Sequence, residues 1–552
     1  MSTESSSSCD SFVEILDESS SRLGEPASSD PSVSELSKPS SSSSSLSSEV
    51  LSWKRGAWSL EDSMIADPPW YISIMVKLSC TLMFLAGVFA DWLRMRGFIK
   101  VSVATDDPRH KGFAPLDHHF EAVYINHIYR KSSDVVNRPI ASVPASVMLL
   151  KDRYTDDYGW TQKYTGTISK VINMGSYNYL GFSHNDGPCA EEAARYIDKY
   201  GLHIGSTRHE RGNHVVQAEI EKCVARYLGV EAAICFPMGF GTNSMNIPSL
   251  VDKRSLILSD ELNHASLVLG CRVSGATVKV FKHNNANDCE KKLRDALCHP
   301  SPKTGKPFNK VLIVIEGIYS MEGTIVNLPE FIRIKKKYGA YLFLDEAHSV
   351  GALGPTGKGV VEYWGCNARD VDIMMGTLTK SFAAAGGYMG GTKAVVEHIR
   401  RHSAGPCYGA PMSPPIIAQV LSSMKIMCGE DGTDIGARKA VQLLKNSRYF
   451  RRRLKQMGFL IYGHEDSPVV PLMTFYITKV VQFSRRTLEH DVGLVAVGFP
   501  ATPLTKARVR FCLSADHTKE QLDYVLDVVD KVGDETSTKY GTKERNPKPI
   551  EY

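Results

Sequence analysis

The pattern of apolar and polar positions changes character three times along this 552-residue chain. The first fifty residues hold 22 serines, ending in the run Ser40 to Ser45, and show no apolar period. Such a tract cannot bury enough apolar surface to offset its ordering entropy, so residues 1–60 are expected to be a disordered Ser-rich segment. It also lacks the basic start, apolar middle and small-residue cleavage site of a secretory signal. WYISIMVKLSCTLMFLAGVFA follows from Trp70, with Lys77 its one charge. About 20 apolar residues cross a bilayer as a helix, and a lysine near the entry can snorkel. Trp70 and Trp92 bracket the run as interfacial aromatics do. Residues 68–93 are therefore expected to form a transmembrane helix or an interfacial or buried one. Arg94, Arg96, Lys100, Arg109 and Lys111 after it outnumber Lys54 and Arg55 before it, which puts the C-terminal bulk on the cytosolic side.

Beyond a linker or arm over 94–170, short β-branched runs alternate with amphipathic stretches: AAICF, LILSDE, TVKVF, KVLIVIEG, AYLFLDEAH and VDIMMGT. This predicts crossover units and a mainly parallel sheet in a large domain over 171–425, with functional residues at strand ends. Over 426–535 the runs VVPLMTFYI, GLVAVGF and RVRFCLS are separated by helical stretches such as FRRRLKQMG and KEQLDYVLDVVDKVG. A smaller α+β domain fits, with 536–552 as a tail; no repeat period is apparent.

Composition narrows the function. With 65 Lys+Arg against 60 Asp+Glu the net charge is +5, without an extended basic tract, so nucleic-acid binding has no electrostatic support. The triplet Arg451 to Arg453 reads as a solvated helix face. The 12 cysteines show no C-x-x-C pair and no histidine at zinc spacing, so neither a metal site nor a disulfide framework is indicated, and a reducing compartment is the simpler reading.

The candidate chemistry lies at the predicted strand ends. Lys380 in GTLTKSF follows a strand among small and hydroxyl residues, where a desolvated, neutral amine can attack an aldehyde; a surface lysine is the alternative. AYLFLDEAHSVGALGPTGKG delivers Asp345, placed to pair with a protonated pyridine nitrogen, and His348, placed for that ring's phenolic oxygen. D-E-A-H alone could be a nucleotide-hydrolase box, but no G-x-x-x-x-G-K-[ST] loop accompanies it. PMGFGTNSMN opens a helix whose N–H groups, with Gly239 and Phe240, could face a phosphate, and Thr377 could reach in from the lysine loop. His264 in DELNHAS could stack on a planar ring or be a structural histidine. Glu316 and Ser320 end the next strand, and either could face the same crevice. Four such pieces in order at successive strand ends are hard to reconcile with coincidence.

These stretches also carry a resemblance. Through NYLG, DELNHAS, EGIYSMEG, LDEAHSVGALGPTGKG and GTLTKSF the chain resembles the α-oxoamine synthases, fold-type I pyridoxal-phosphate enzymes of the aspartate-aminotransferase-like α/β class. INMGSYNYLGFS, SMEGTIVNLPE, GKGVVEYWG, YFRRRLKQMGF, EDSPVVPL, VGFPATP and RVRFCLSADHT make it most similar to the catalytic long-chain-base subunits of serine palmitoyltransferase, over roughly residues 110 to 535. The resemblance implies Lys380 as Schiff-base lysine and catalytic base, Asp345 as pyridinium partner, His348 at the ring oxygen, and His264 stacking on the ring and steadying the substrate carboxylate. Gly239, Phe240, Ser320 and Thr377 would help hold the cofactor. Asn178 would line the substrate side, Arg510 would take the carboxylate with Arg508 as rival, and Thr502 would act from a mobile PATP loop, Pro500 to Pro503.

The implied reaction is the decarboxylating condensation of L-serine with palmitoyl-CoA to 3-ketosphinganine, the first step of sphingolipid biosynthesis. The implied setting is the endoplasmic reticulum membrane with the catalytic domain facing the cytosol. The implied partners are a homologous lysine-free subunit as heterodimer, small activating subunits and Orm-type regulators. A synthase using glycine and a short acyl-CoA, or a non-catalytic paralogue of the same fold, are the alternatives. Three positions depart from the family pattern: Ala383 stands for a glycine beside the lysine, Ala410 for a threonine that reaches the phosphate across a subunit interface, and Gln217 for a histidine.

Overall fold

A computed structural model describes residues 53–59, 68–98, 109, 112–114, 119–157, 159–542 and 548–552. The Ser-rich tract, Lys100 and Lys111 lie outside the described residues. Residues 53–59, inside the stretch expected to be disordered, are docked on the body instead. Gly56 N–H donates to Asp466 at 2.7 Å, Trp58 Nε1 donates to the Ile325 carbonyl at 3.1 Å, and Arg55 lies over the Trp364 ring at 4.0 Å. Two tryptophans at the end of a polar tract supply the apolar surface that the serines lack.

A hairpin of β1 (Val147–Tyr154) and β2 (Lys163–Asn173) precedes the large sheet. That sheet contains β3 (Ala232–Phe236), β4 (Ser255–Asp260), β5 (Thr277–Phe281), β6 (Lys310–Glu316), β7 (Tyr341–Asp345), β8 (Ile373–Thr377) and β9 (Gly387–Gly391), in the order β3-β9-β8-β7-β6-β4-β5. β9 pairs antiparallel with both neighbours and the other pairings are parallel. Each expected strand forms; the inner ones are aliphatic runs buried on both faces, as crossover helices require, while the edge strand β5 leaves Val278 and Val280 exposed. Ile313, Ile315, Leu342 and Leu344 pack on one face, and Leu312, Val314 and Phe343 on the other.

The C-terminal sheet, β10 (Val469–Phe475), β13 (Ala507–Cys512) and β12 (Val495–Val497), packs with helices Ile435–Gln456 and Lys519–Glu535 around Phe450, Leu472, Phe511 and Leu526. GLVAVGF, expected as one strand, is two. Val492–Gly493 is β11, beside β2, and after buried Leu494 the chain crosses to pair β12 with β13. The arginine triplet needs a correction as well. Successive residues of a helix fall on different faces, and Arg451 is buried, donating to the carbonyls of Tyr462 at 2.7 Å and Ser467 at 3.1 Å, while Arg452 is exposed.

The apolar segment is a 26-residue helix, Trp70–Met95. Ile72 and Val76 pack against Tyr462, Met473 and Phe475, and Asp91 meets His127 at 3.0 Å. Ile74, Leu78, Leu82, Leu85 and Phe89 face outward, exposed.

Candidate active site

The parallel register sets the carboxyl ends of β6 and β7 side by side, with Glu316 opposite Asp345. Asp345 is buried; Asn243 Nδ2 donates to its Oδ2 at 2.8 Å and Ala347 N–H to its Oδ1 at 2.8 Å. Burial, and after it the neighbouring Asp345, push the Glu316 carboxyl well above its usual range, and it accepts the backbone N–H of His264.

Thr377 ends β8, and Lys380 follows it in a loop held close by Ser381, whose hydroxyl donates to Val350 at 2.7 Å. Gly351, at φ +79°, permits that approach: a Cβ there would stand 2.3 Å from the Ser381 Cβ. Burial lowers the Lys380 amine to about 8, with Asp345 and Glu316 opposing the shift. A useful fraction is therefore uncharged near neutrality.

His264 caps the helix Ala265–Val273, its Nδ1 accepting from Ser266 N–H at 3.2 Å and lying 2.8 Å from the Ser266 hydroxyl. Asn243 Nδ2 donates to Ser266 Oγ at 3.0 Å, so Asp345, Asn243, Ser266 and His264 form one chain. Burial lowers the pKa of His264 and, with the Lys380 charge, holds His348 well below its ordinary value. His348 Nδ1 meets the Tyr179 hydroxyl at 2.8 Å, and the Tyr177 ring lies edge-on at 5.1 Å.

Seven of the expected residues, Lys380, Asp345, His348, His264, Gly239, Phe240 and Thr377, line one cavity of about 160 Å³ with Asn243, Ser266 and Glu316. Four others do not line it. The Ser320 carbonyl accepts from Arg510 Nη1 at 3.3 Å, so this residue meets the arginine through its backbone. Asn178 is turned into its own loop, Nδ2 donating to Ser183 Oγ at 2.6 Å. Arg510 lies over the Tyr177 ring at 4.8 Å, and its buried Nε has no partner among the described residues. It lines a neighbouring apolar cavity of about 450 Å³, bounded by Tyr124, Val480, Val497, Phe499, Pro500 and Ala501. Thr502, within the Pro500 to Pro503 loop, is buried with its hydroxyl unpartnered among the described residues. Its rival Arg508 is fully buried against Glu322 and the Met321 carbonyl, which leaves Arg510 the better placed of the two.

A larger cavity than either, about 610 Å³, lies away from these groups, between the apolar helix and the helix Ile477–Leu488, so size does not mark the chemistry. Sequence reasoning passed over Asn243, Ser266, Tyr177 and Tyr179. Asn243 sits one helical turn after Gly239, a spacing that puts both on one face. Tyr179 lies within NYLG itself.

Pyridoxal phosphate fits this donor set. Gly239 is so close to Thr377 that a Cβ would stand 2.8 Å from its hydroxyl, leaving backbone and Oγ1 together as an anion cradle. Asn243 Oδ1 is buried without a partner among the described residues, and a hydrogen-bonded carboxylate shares the cavity with an amine whose pKa is lowered to about 8.

Residues 169–529 match the family model "Aminotransferase class I and II". Serine palmitoyltransferase 3 of Caenorhabditis elegans is 67% identical over 476 residues, 86% of this chain and 93% of the relative. A solved structure described as SPT with PLP superposes with TM-score 0.62 at 28% identity, over 68% of this chain and 90% of that one. The Sphingomonas wittichii serine palmitoyltransferase superposes with TM-score 0.66 at 26% identity, over 77% of this chain and 99% of its own. With its polar network gathered at the ends of a mostly parallel sheet, and two thirds of its residues shared with a relative over most of its length, the chain belongs to the serine palmitoyltransferase family within the class I and II aminotransferases.

Proposed function

We propose that Lys380, Asp345 and His264 form the catalytic centre of a pyridoxal-phosphate-dependent acyltransferase that condenses L-serine with palmitoyl-CoA. Carbon dioxide and coenzyme A leave, and 3-ketosphinganine, the first intermediate of sphingolipid biosynthesis, is the product. The observation that carries this reading is that the amine and the hydrogen-bonded carboxylate share one cavity. Bound pyridoxal phosphate supplies an aldehyde that holds an amino acid and a ring that draws electrons from its α-carbon.

Asp345, fixed by Asn243 and Ala347, would hold the ring nitrogen in its protonated form. Gly239, Phe240 and Thr377 would take the phosphate, and His264 and His348 would contact the ring. Lys380 would bind the aldehyde, and once released it would accept the α-proton, which its lowered pKa permits near neutrality. Arg510, whose Nε has no partner among the described residues, lies over the Tyr177 ring that Lys380 also approaches, and would take a carboxylate there, since a guanidinium matches it bidentately. The apolar cavity beside the Pro500 to Pro503 loop suits a long acyl chain, with Thr502 closing over it. Asn178 and Ser320 would act indirectly, through the loops and through Arg510.

The exposed apolar stripe of Trp70–Met95 is compatible with membrane association. Its inner face is fastened to the C-terminal sheet and to His127, so we favour a helix embedded along the interface over one that stands across the bilayer. The endoplasmic reticulum with a cytosolic catalytic domain is the inferred setting. A homologous lysine-free subunit is the inferred heterodimer partner, with small activating subunits and Orm-type regulators as further partners. Incubating the purified heterodimer with serine, alanine or glycine and a series of acyl-CoAs tests this reading: serine with palmitoyl-CoA should be preferred, and Lys380→Ala should abolish both turnover and borohydride labelling. A preference for glycine with a short acyl-CoA would overturn it.

A further inference from the structure

We propose that Tyr179 is a positioning residue that fixes the tautomer of His348, so that this imidazole presents an Nε2–H donor to the cavity. The inference rests on the reading above, that pyridoxal phosphate occupies the cavity.

Tyr179 is fully buried, and among the described residues its hydroxyl meets one hydrogen-bond partner, His348 Nδ1 at 2.8 Å. A phenol in a dry enclosure must place its proton on an acceptor, because an orphaned buried donor loses its hydration without compensation. Nδ1 is that acceptor, so the ring's own proton sits on Nε2. The reverse arrangement, with Nδ1–H donating to the phenol, leaves the phenol proton with nowhere to go. Protonating both nitrogens is opposed by burial and by Lys380, which hold His348 in its neutral form. The Tyr177 ring, edge-on at 5.1 Å, restrains the plane of the imidazole. His264 follows the same logic: Ser266 Oγ accepts from Asn243 and so can give its own proton to His264 Nδ1. Nε2 of His348 then offers a donor, never a lone pair, to the phenolic oxygen beside the aldehyde that Lys380 would capture.

The test uses the holo heterodimer carrying Tyr179→Phe, His348→Gln or both. Tyr179→Phe keeps the ring and removes the donor, leaving the proton of His348 free to move to Nδ1. Cofactor binding should weaken about tenfold, the value of one lost hydrogen bond to the ligand, and the visible band of the bound cofactor should shift. In the His348→Gln background the second substitution should change neither by more than about twofold, since coupled residues are not additive. A Tyr179→Phe enzyme with wild-type affinity and spectrum, or one that loses the same factor with and without His348, overturns the proposal. Should Tyr179→Phe fail to fold, 3-fluorotyrosine at position 179 keeps the contact with a stronger donor. The band should then move the opposite way, and an unmoved band counts against the proposal. A wild-type complex that takes up no pyridoxal phosphate sinks the functional reading and this inference with it; a normal wild type beside an unresponsive Tyr179→Phe sinks the inference alone.

Discussion

At the carboxyl ends of β6, β7 and β8, polar side chains are buried and paired, whereas along Trp70–Met95 apolar side chains are exposed and unpaired. Each arrangement is costly taken by itself. A buried carboxylate without donors is expelled by its own desolvation, and Asp345 escapes this through Asn243 and Ala347. A stripe of Ile74, Leu78, Leu82, Leu85 and Phe89 in water loses the hydrophobic gain that folded the inner face of the same helix. The first problem is solved inside the chain. The second is compatible with a different solvent, the lipid surface proposed above.

The largest effect that would break the site's half of the comparison is charge removal. Asp345→Asn keeps the shape but loses the anion and one of the two accepting oxygens that Asn243 and Ala347 donate to. Stripping one charge from a buried pair costs about 4 kcal/mol, so kcat/KM at saturating cofactor should fall about a thousandfold. A loss of less than about tenfold would mean that shape, not charge, holds the ring.

The helix half breaks differently. Lysines at Leu78, Leu82 and Leu85 together should lower binding of the complex to liposomes by about a hundredfold or more in flotation, because each charge opposes burial in the acyl region. Activity in detergent should stay within about twofold. Unchanged flotation would show that the stripe is covered by protein instead.

A smaller effect sharpens the picture of Lys380. Burial brings its amine to about 8, whereas a solvated lysine titrates at about 10.4. The ammonium form dominates below the pKa and only the neutral amine attacks an aldehyde. Capture of added pyridoxal phosphate by the cofactor-free complex should therefore accelerate about tenfold per pH unit up to about 8 and level off above it. A rate still climbing at pH 9.5, followed by stopped-flow absorbance, would place the amine in water.

Much of this was legible beforehand, for reasons that separate the two regions. The strands were visible because both faces of a parallel sheet demand unbroken aliphatic runs, and the motifs at their ends named the cavity's residues with chemistry of their own. Asn243, Ser266 and Tyr179 were not visible, because an amide or hydroxyl that acts only on another side chain has no signature until the neighbours are in place. Ser320 and Asn178 misled for the same reason: position after a strand or in a motif does not say which way a short side chain turns. The docking of residues 53–59 was hidden by averaging two tryptophans into a serine-rich tract.

Ala383 gives the smallest effect and the cleanest one. The structure places Ala383 at φ +49°, partly buried against an apolar cluster. The cost is in the backbone: an L-residue in the left-handed region suffers a clash between Cβ and its own carbonyl that glycine avoids. Ala383→Gly should relieve about 1 kcal/mol of that strain, less what the more flexible unfolded chain takes back. Net stabilisation of up to about 1 kcal/mol by urea denaturation is expected, with the pH dependence of cofactor capture unchanged, since no side chain of the cavity is touched. A destabilised Ala383→Gly would mean that the methyl's packing outweighs the strain, and that the departure at this position is compensated where it stands.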